Sequence, residues 1–126
     1  MSSTRTAAVA FLGLRVAYGV GLAVAPATFG GRRWLGASAE TDPTQVALRG
    51  LGAREAALHT GILVRALTTD APLRPWLLAS IAGDVADVTA TFLGRRGIPD
   101  GVPKLMVLVG GGSAAITAGV AAALDE

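Results

Sequence analysis

The chain has 126 residues, enough for one domain and too few for several. Its mean hydropathy is +0.54, and only 16% of its residues are charged, against about 25% in ordinary soluble domains. The absence of cysteine excludes disulfides, thiolate metal sites and thiol nucleophiles; the isoelectric point near 9.9 does not signal nucleic acid, because several arginines sit inside apolar segments rather than along an exposed stripe.

Ten of the eleven basic residues are arginine, Lys104 being the single lysine. With the richness in Ala, Gly and Val, this points to a GC-rich bacterial genome. A first apolar segment covers about residues 6–25, long enough for a helix to cross the hydrocarbon of a bilayer. Arg5 ahead of it and Ala23-Val24-Ala25 behind it also fit a cleaved signal peptide. Pro26 just after the processing position and Arg15 inside the run favour a retained helix. Residues 26–41 form a longer connection in which Arg32, Arg33 and Trp34 suit the headgroup region.

Asp42-Pro43-Thr44-Gln45 reads as a helix start. Asp42 can accept from free backbone N–H groups, Pro43 suits the first turn, and Gln45 can reach back as in a capping box. The segment that follows, about 43–67, carries Arg49, Arg54, Glu55, His59 and Arg65, and in context reads as a membrane helix with its polar faces in a bundle. A short connection around Thr69-Asp70-Ala71-Pro72 leads to a third segment, about 73–93, entered at Trp76 and left at Gly94-Arg95-Arg96-Gly97. Asp100 and Pro103 open a fourth, about 103–124. Gly111, Ala115 and Gly119, and likewise Ala53, Ala57 and Gly61, form small-residue rows of the kind that let membrane helices approach closely.

The expected fold is therefore all-α: one integral membrane domain over residues 1–126, built as a bundle of four transmembrane helices. Arg32, Arg33, Arg95, Arg96 and Lys104 collect on the first and third connections, against Arg5 and Arg74 on the opposite side with Arg65 near its border. Positive residues gather on the cytoplasmic side, which places both termini outside a bacterial inner membrane.

Six charged residues fall within the spans: Arg15, Arg49 and Arg54 against Glu55, Asp84 and Asp87. One such charge costs about 2.5–3.5 kcal/mol at the helix centre, so six unpaired would cost on the order of 15 kcal/mol, more than a marginally stable fold carries. Depth along the helices, at about 1.5 Å per residue, pairs Arg15 with Asp84 and Arg54 with Asp87, and sets Arg49 near Glu55. Ser80, Asp84, Asp87 and Thr91 make a polar stripe; Glu55 and His59 stack one turn apart; Arg15 and Tyr18 share a face. Together they predict a charged pocket between the first three long helices, with Glu55, Asp84 and Asp87 as acid–base groups and Arg15, Tyr18, Arg49, Arg54, His59, Ser80 and Thr91 as ligand-binding groups.

Several chemistries compete for this constellation. Glu55, His59, Asp84 and Asp87 include metal-ligating types, but three nearby arginines repel a cation, so no metal or other cofactor is expected. Asp84-x-x-Asp87 resembles the diphosphate motifs of membrane prenyltransferases and CDP-alcohol phosphotransferases, yet continues as Val-Thr-Ala-Thr with no second aspartate motif. Four spans are also the plan of small multidrug transporters, whose essential carboxylate lies in the first helix, where this chain has Arg15. Buried ion pairs can equally be helix glue.

The elements Arg49-Gly50-Leu51-Gly52-Ala53-Arg54-Glu55, Gly83-Asp84-Val85-Ala86-Asp87 and Pro26-Ala27-Thr28-Phe29-Gly30 resemble those of a family of small bacterial four-helix membrane proteins known chiefly as a domain of unknown function. The likeness spans most of the chain and implies architecture and a charged core, without an activity. The expected function is binding of a small lipophilic molecule, with acid–base conversion as an extension. The alternatives are a proton-coupled transporter and a structural or accessory subunit. Expected partners are the lipid bilayer and the small ligand but no nucleic acid, with self-association left open.

Overall fold

The computed structural model describes residues 2–124. Among them the regular structure is entirely helical: α1 (Ser3–Val24), α2 (Arg32–Leu35), α3 (Asp42–Thr68), α4 (Arg74–Leu93) and α5 (Val102–Leu124). The four long helices begin and end within a turn of the limits expected from sequence. α1 opens on Ser2, whose side chain accepts from the Arg5 N–H at 3.2 Å, satisfying one of the free donors of the first turn. Pro26 follows its end, and a π-type turn (Ala27–Gly31) with Gly30 at φ 107° redirects the chain into α2. The start of α3 differs from expectation. Thr41, not Asp42, occupies the cap position, and no side chain caps the helix. The Thr41 hydroxyl is spent on the Ser38 carbonyl at 2.8 Å; Asp42 acts through its charge at the helix start.

The buried residues of the long helices recur at alternating four- and three-residue spacings. They are Ala8, Leu12, Arg15, Gly19 and Leu22 on α1; Leu48, Gly52, His59, Ile62 and Ala66 on α3, with half-buried Glu55 completing the row; and Leu77, Ser80, Asp84 and Thr91 on α4, with half-buried Asp87 in phase. This is the seam of side-by-side helix packing. The most extensive contacts join α1 to α3 and α4 to α5, with far fewer between the two pairs.

Where α1 and α3 cross, backbone meets backbone. A Cβ on Gly52 would lie 2.5 Å from the Ala23 nitrogen and 2.6 Å from the Gly19 carbonyl oxygen, and one on Gly19 would lie 2.5 Å from the Ala56 nitrogen. The rows expected to mediate close approach, Ala53/Ala57/Gly61 and Gly111/Ala115/Gly119, face outward instead, and a Cβ on any of their glycines meets nothing. Ala53, Ala57 and Gly61 lie off the Leu48–Gly52–His59 seam, so they cannot share its partner.

Two apolar layers bracket the centre. Leu12, Ile62, Ala66, Leu73 and Leu77 pack at the end nearer the termini; Leu22, Ala39 and Leu48, with Trp34, Leu35 and Leu51, pack at the other. Between them every fully buried position except the glycines is polar. The outer surface is the reverse: Leu14, Val20, Leu78, Val85, Leu108, Val109 and Ile116 are exposed. Three helices, α1, α4 and α5, are long and apolar enough to cross a membrane. α3 has the length, 27 residues, but Arg49, Arg54, Glu55 and Arg65 keep it from matching the other three in apolarity.

Gly52→Val should separate α1 from α3 and cost about 1–3 kcal/mol, as overpacking does, whereas Gly61→Val should leave stability nearly unchanged. Denaturation of the detergent-solubilised variants measures both.

Candidate functional site

The polar layer is built around one side chain. Arg15 is buried on the α1 seam, and α1 has little direct backbone contact with α4, so its long side chain spans the gap. Its Nε donates to Glu55 Oε1 at 2.8 Å, and its Nη2 donates both to that oxygen and to Asp84 Oδ1, the latter at 2.7 Å. Nη1 donates to Asp84 Oδ2 at 2.9 Å and to Ser80 Oγ at 3.2 Å. Five N–H donors is all a guanidinium has, and five contacts use them. The fork on Asp84 is bidentate, the strongest geometry such a pair adopts.

His59 locks the other side. Its Nδ1 lies 2.8 Å from the Glu55 backbone carbonyl, which can only accept, so Nδ1 carries the hydrogen. Its Nε2 lies 2.8 Å from Ser80 Oγ. In the neutral ring Nε2 is the acceptor, so the Ser80 hydroxyl donates to it while accepting from Arg15. The chain of bonds thus runs from Arg15 through Ser80 and His59 to the α3 backbone. Among the described residues no buried side-chain polar atom lacks a partner.

Arg15 therefore pairs with Asp84 as depth predicts, but the other two expected pairs are absent. Glu55 is taken by Arg15 rather than Arg49. Arg49 donates to the carbonyls of Ala23 and Val24 at 2.7 and 2.9 Å, filling free acceptors at the end of α1. At the other end of this helix pair Arg5 donates to the Ala66 carbonyl, so each helix of the pair caps its neighbour. Arg54 is exposed, with Nε 3.4 Å from the Gly50 carbonyl, and does not reach Asp87. The physical reason is phase: positions 49 and 54 flank the α3 seam, whereas 52 and 55 lie on it.

Two of the expected ligand-binding groups and one expected acid–base group are placed as follows. Thr91 is a tether: its hydroxyl accepts from the Trp34 indole N–H at 2.8 Å and donates to the Asp87 carbonyl at 2.7 Å. Tyr18 is 45% exposed, within electrostatic reach of Glu55 and Asp87, and its hydroxyl lies against Gly30. Asp87, half-buried one turn beyond Asp84, is surrounded by the charges of Glu55, Asp84, Arg15 and Arg54 and makes no ion pair among the described residues. Among them no group of metal-ligating side chains is arranged to hold an ion. Sequence reasoning missed the Trp34–Thr91 tether, the two arginine caps and the Gly19–Gly52 crossing. The four–three spacing of the seam was the available signal for the crossing and for the exclusion of Arg49 and Arg54.

No family model, curated protein or solved structure matches the chain. The chemistry of the site is accordingly read from its geometry.

Removing Arg15 strands two carboxylates that have lost their shared donor. Arg15→Met should cost about 3–5 kcal/mol, the range for breaking a buried pair, while Arg54→Met should stay within about 0.5 kcal/mol of the parent, as exposed substitutions do. Thermal or denaturant unfolding of the two variants separates these outcomes.

Proposed function

We propose that the protein is a four-span integral membrane protein of a bacterial inner membrane, with both termini outside, that binds a small lipophilic molecule at the half-open edge of its polar layer. The apolarity of α1, α4 and α5 supports the membrane location. α3 packs along α1, so a membrane that holds α1 holds α3 beside it, with Glu55 on the seam, Arg49 capping the end of α1 and Arg65 in the last turn, while Arg54 stays exposed at mid-helix. Arg32, Arg33, Arg95, Arg96 and Lys104 at one end, against Arg5, Arg65 and Arg74 at the other, support the orientation.

Arg15, Glu55 and Asp84 are best read as a permanent clamp, because every guanidinium donor is already used. The observation that carries the binding proposal is Asp87. It is a carboxyl group on the seam, half-buried, beside two further carboxyl groups and, among the described residues, without an ion-pair partner of its own. One buried guanidinium is bonded within this layer of three carboxyl groups, and the exposed Arg54 reaches Asp87 only through its field. A site with such an excess at bilayer depth accepts a proton or an organic cation in compensation, and Tyr18 offers a hydroxyl and an aromatic face at the same edge. The ligand class that fits is a lipophilic amine or other organic cation. Proton exchange at Asp87 would extend this to acid–base conversion or to proton-coupled export. The saturation of Arg15 also favours a second reading, in which the whole layer is helix glue in an accessory subunit.

Equilibrium dialysis of the solubilised protein with tetraphenylphosphonium distinguishes the two. Binding that Asp87→Asn weakens about tenfold or more, with unfolding unchanged, supports the site. Absence of binding in the parent, or equal binding in the variant, supports the structural reading. A pH gradient driving uptake of the same cation into proteoliposomes would select export.

A further inference from the structure

The basic residues at the α2 end of the molecule do more than bias its orientation. Trp34 bonds to Thr91 and draws α2 against the last turn of α4. Gly36, at φ 64°, sits against the Pro99 ring, which a Cβ there would meet at 3.0 Å. The strap of residues 31–40 and the α4–α5 turn are thereby joined into one surface. On it Arg32 is answered by Glu40. Arg33, Arg95, Arg96 and Lys104 are exposed and, among the described residues, have no carboxylate partner. Arg95 gives one donor to the Phe92 carbonyl at 2.8 Å and keeps the rest free.

At the rim of this surface are exposed apolar side chains: Leu93 at 81%, Phe29 at 47% and Phe92 at 40%. The opposite end is different. There Arg5 is spent on the Ala66 carbonyl and Arg65 lies 3.4 Å from the Pro72 carbonyl, leaving Arg74 at the start of α4.

We infer that the α2 strap and the α4–α5 turn form a docking surface for the headgroups of anionic phospholipids. An amphiphile with a phosphate and acyl chains answers both features at once. The phosphate meets Arg33, Arg95, Arg96 and Lys104, and the chains cover Leu93, Phe92 and Phe29. A nucleic acid or acidic peptide would satisfy the cations and leave the apolar rim in water. The inference rests on the membrane location proposed above.

The chain has two tryptophans, so Trp76→Phe leaves Trp34 as a reporter on this surface. The Trp76→Phe protein is reconstituted in phosphatidylcholine vesicles containing either brominated phosphatidylcholine or brominated phosphatidylglycerol, and Trp34 quenching is recorded against brominated fraction. The expected result is quenching by both lipids with about threefold or greater preference for phosphatidylglycerol, reduced by salt. The preference should be lost when Arg33→Gln, Arg95→Gln and Arg96→Gln are added. Equal quenching by the two lipids overturns the docking surface and leaves the membrane location standing, as does a preference that survives the three substitutions. Quenching by neither lipid overturns both.

Discussion

A guanidinium can be carried in an apolar interior only if its hydrogens are met, and the arrangement of this protein follows from how Arg15 meets that condition. Glu55 comes from α3, and Ser80 and Asp84 come from α4. The three helices cannot rotate or slide independently without orphaning a donor. Because α1–α3 and α4–α5 are the two extensive contacts and the pairs touch each other far less, this cluster is the principal polar link between the two halves. Apolar packing by itself is weakly directional. A bidentate charged contact supplies the register that packing leaves open.

The remaining structure protects that link. Gly19 and Gly52 bring α1 and α3 close enough for Glu55 to reach Arg15. Arg5 and Arg49 close the ends of the same pair by capping carbonyls. The Trp34–Thr91 bond closes the opening between α1 and α4 on one side, and the Leu12–Ile62–Leu77 layer closes the other. Asp87 sits between the clamp and the tether, with a carboxyl group that neither uses.

Much of this was legible in the sequence because it depends on local pattern. Apolar runs of bilayer length gave the limits of α1, α4 and α5, and Pro43 marked the start of α3. The stripe Ser80–Asp84–Asp87–Thr91 and the pair Glu55–His59 were visible as helical spacing, and depth alone matched Arg15 to Asp84. What depth cannot supply is azimuth. Arg54 and Glu55 are neighbours at the same depth on α3, yet only Glu55 faces Arg15, and that choice is made by the Gly52 crossing. The small-residue rows misled for the same reason: any row at intervals of four permits close approach, but only the one in phase with its partner's seam makes it. Capping of one helix by an arginine from another has no local signature at all. The strap was readable only as interfacial composition, since the bond from Trp34 to Thr91 joins residues 57 positions apart.

The clamp and Asp87, which has no ion pair among the described residues, divide the polar layer into a part that holds the helices and a part to which the proposed function assigns the ligand. The division depends on Arg15 and Asp84 acting as a unit. A double-mutant cycle of Arg15→Met and Asp84→Leu, read by unfolding free energy in detergent, tests it most directly. The account predicts a coupling of about 2 kcal/mol or more, with the double variant more stable than Arg15→Met alone, because removing Asp84 then relieves a stranded carboxylate. Effects that add within about 0.5 kcal/mol would contradict it.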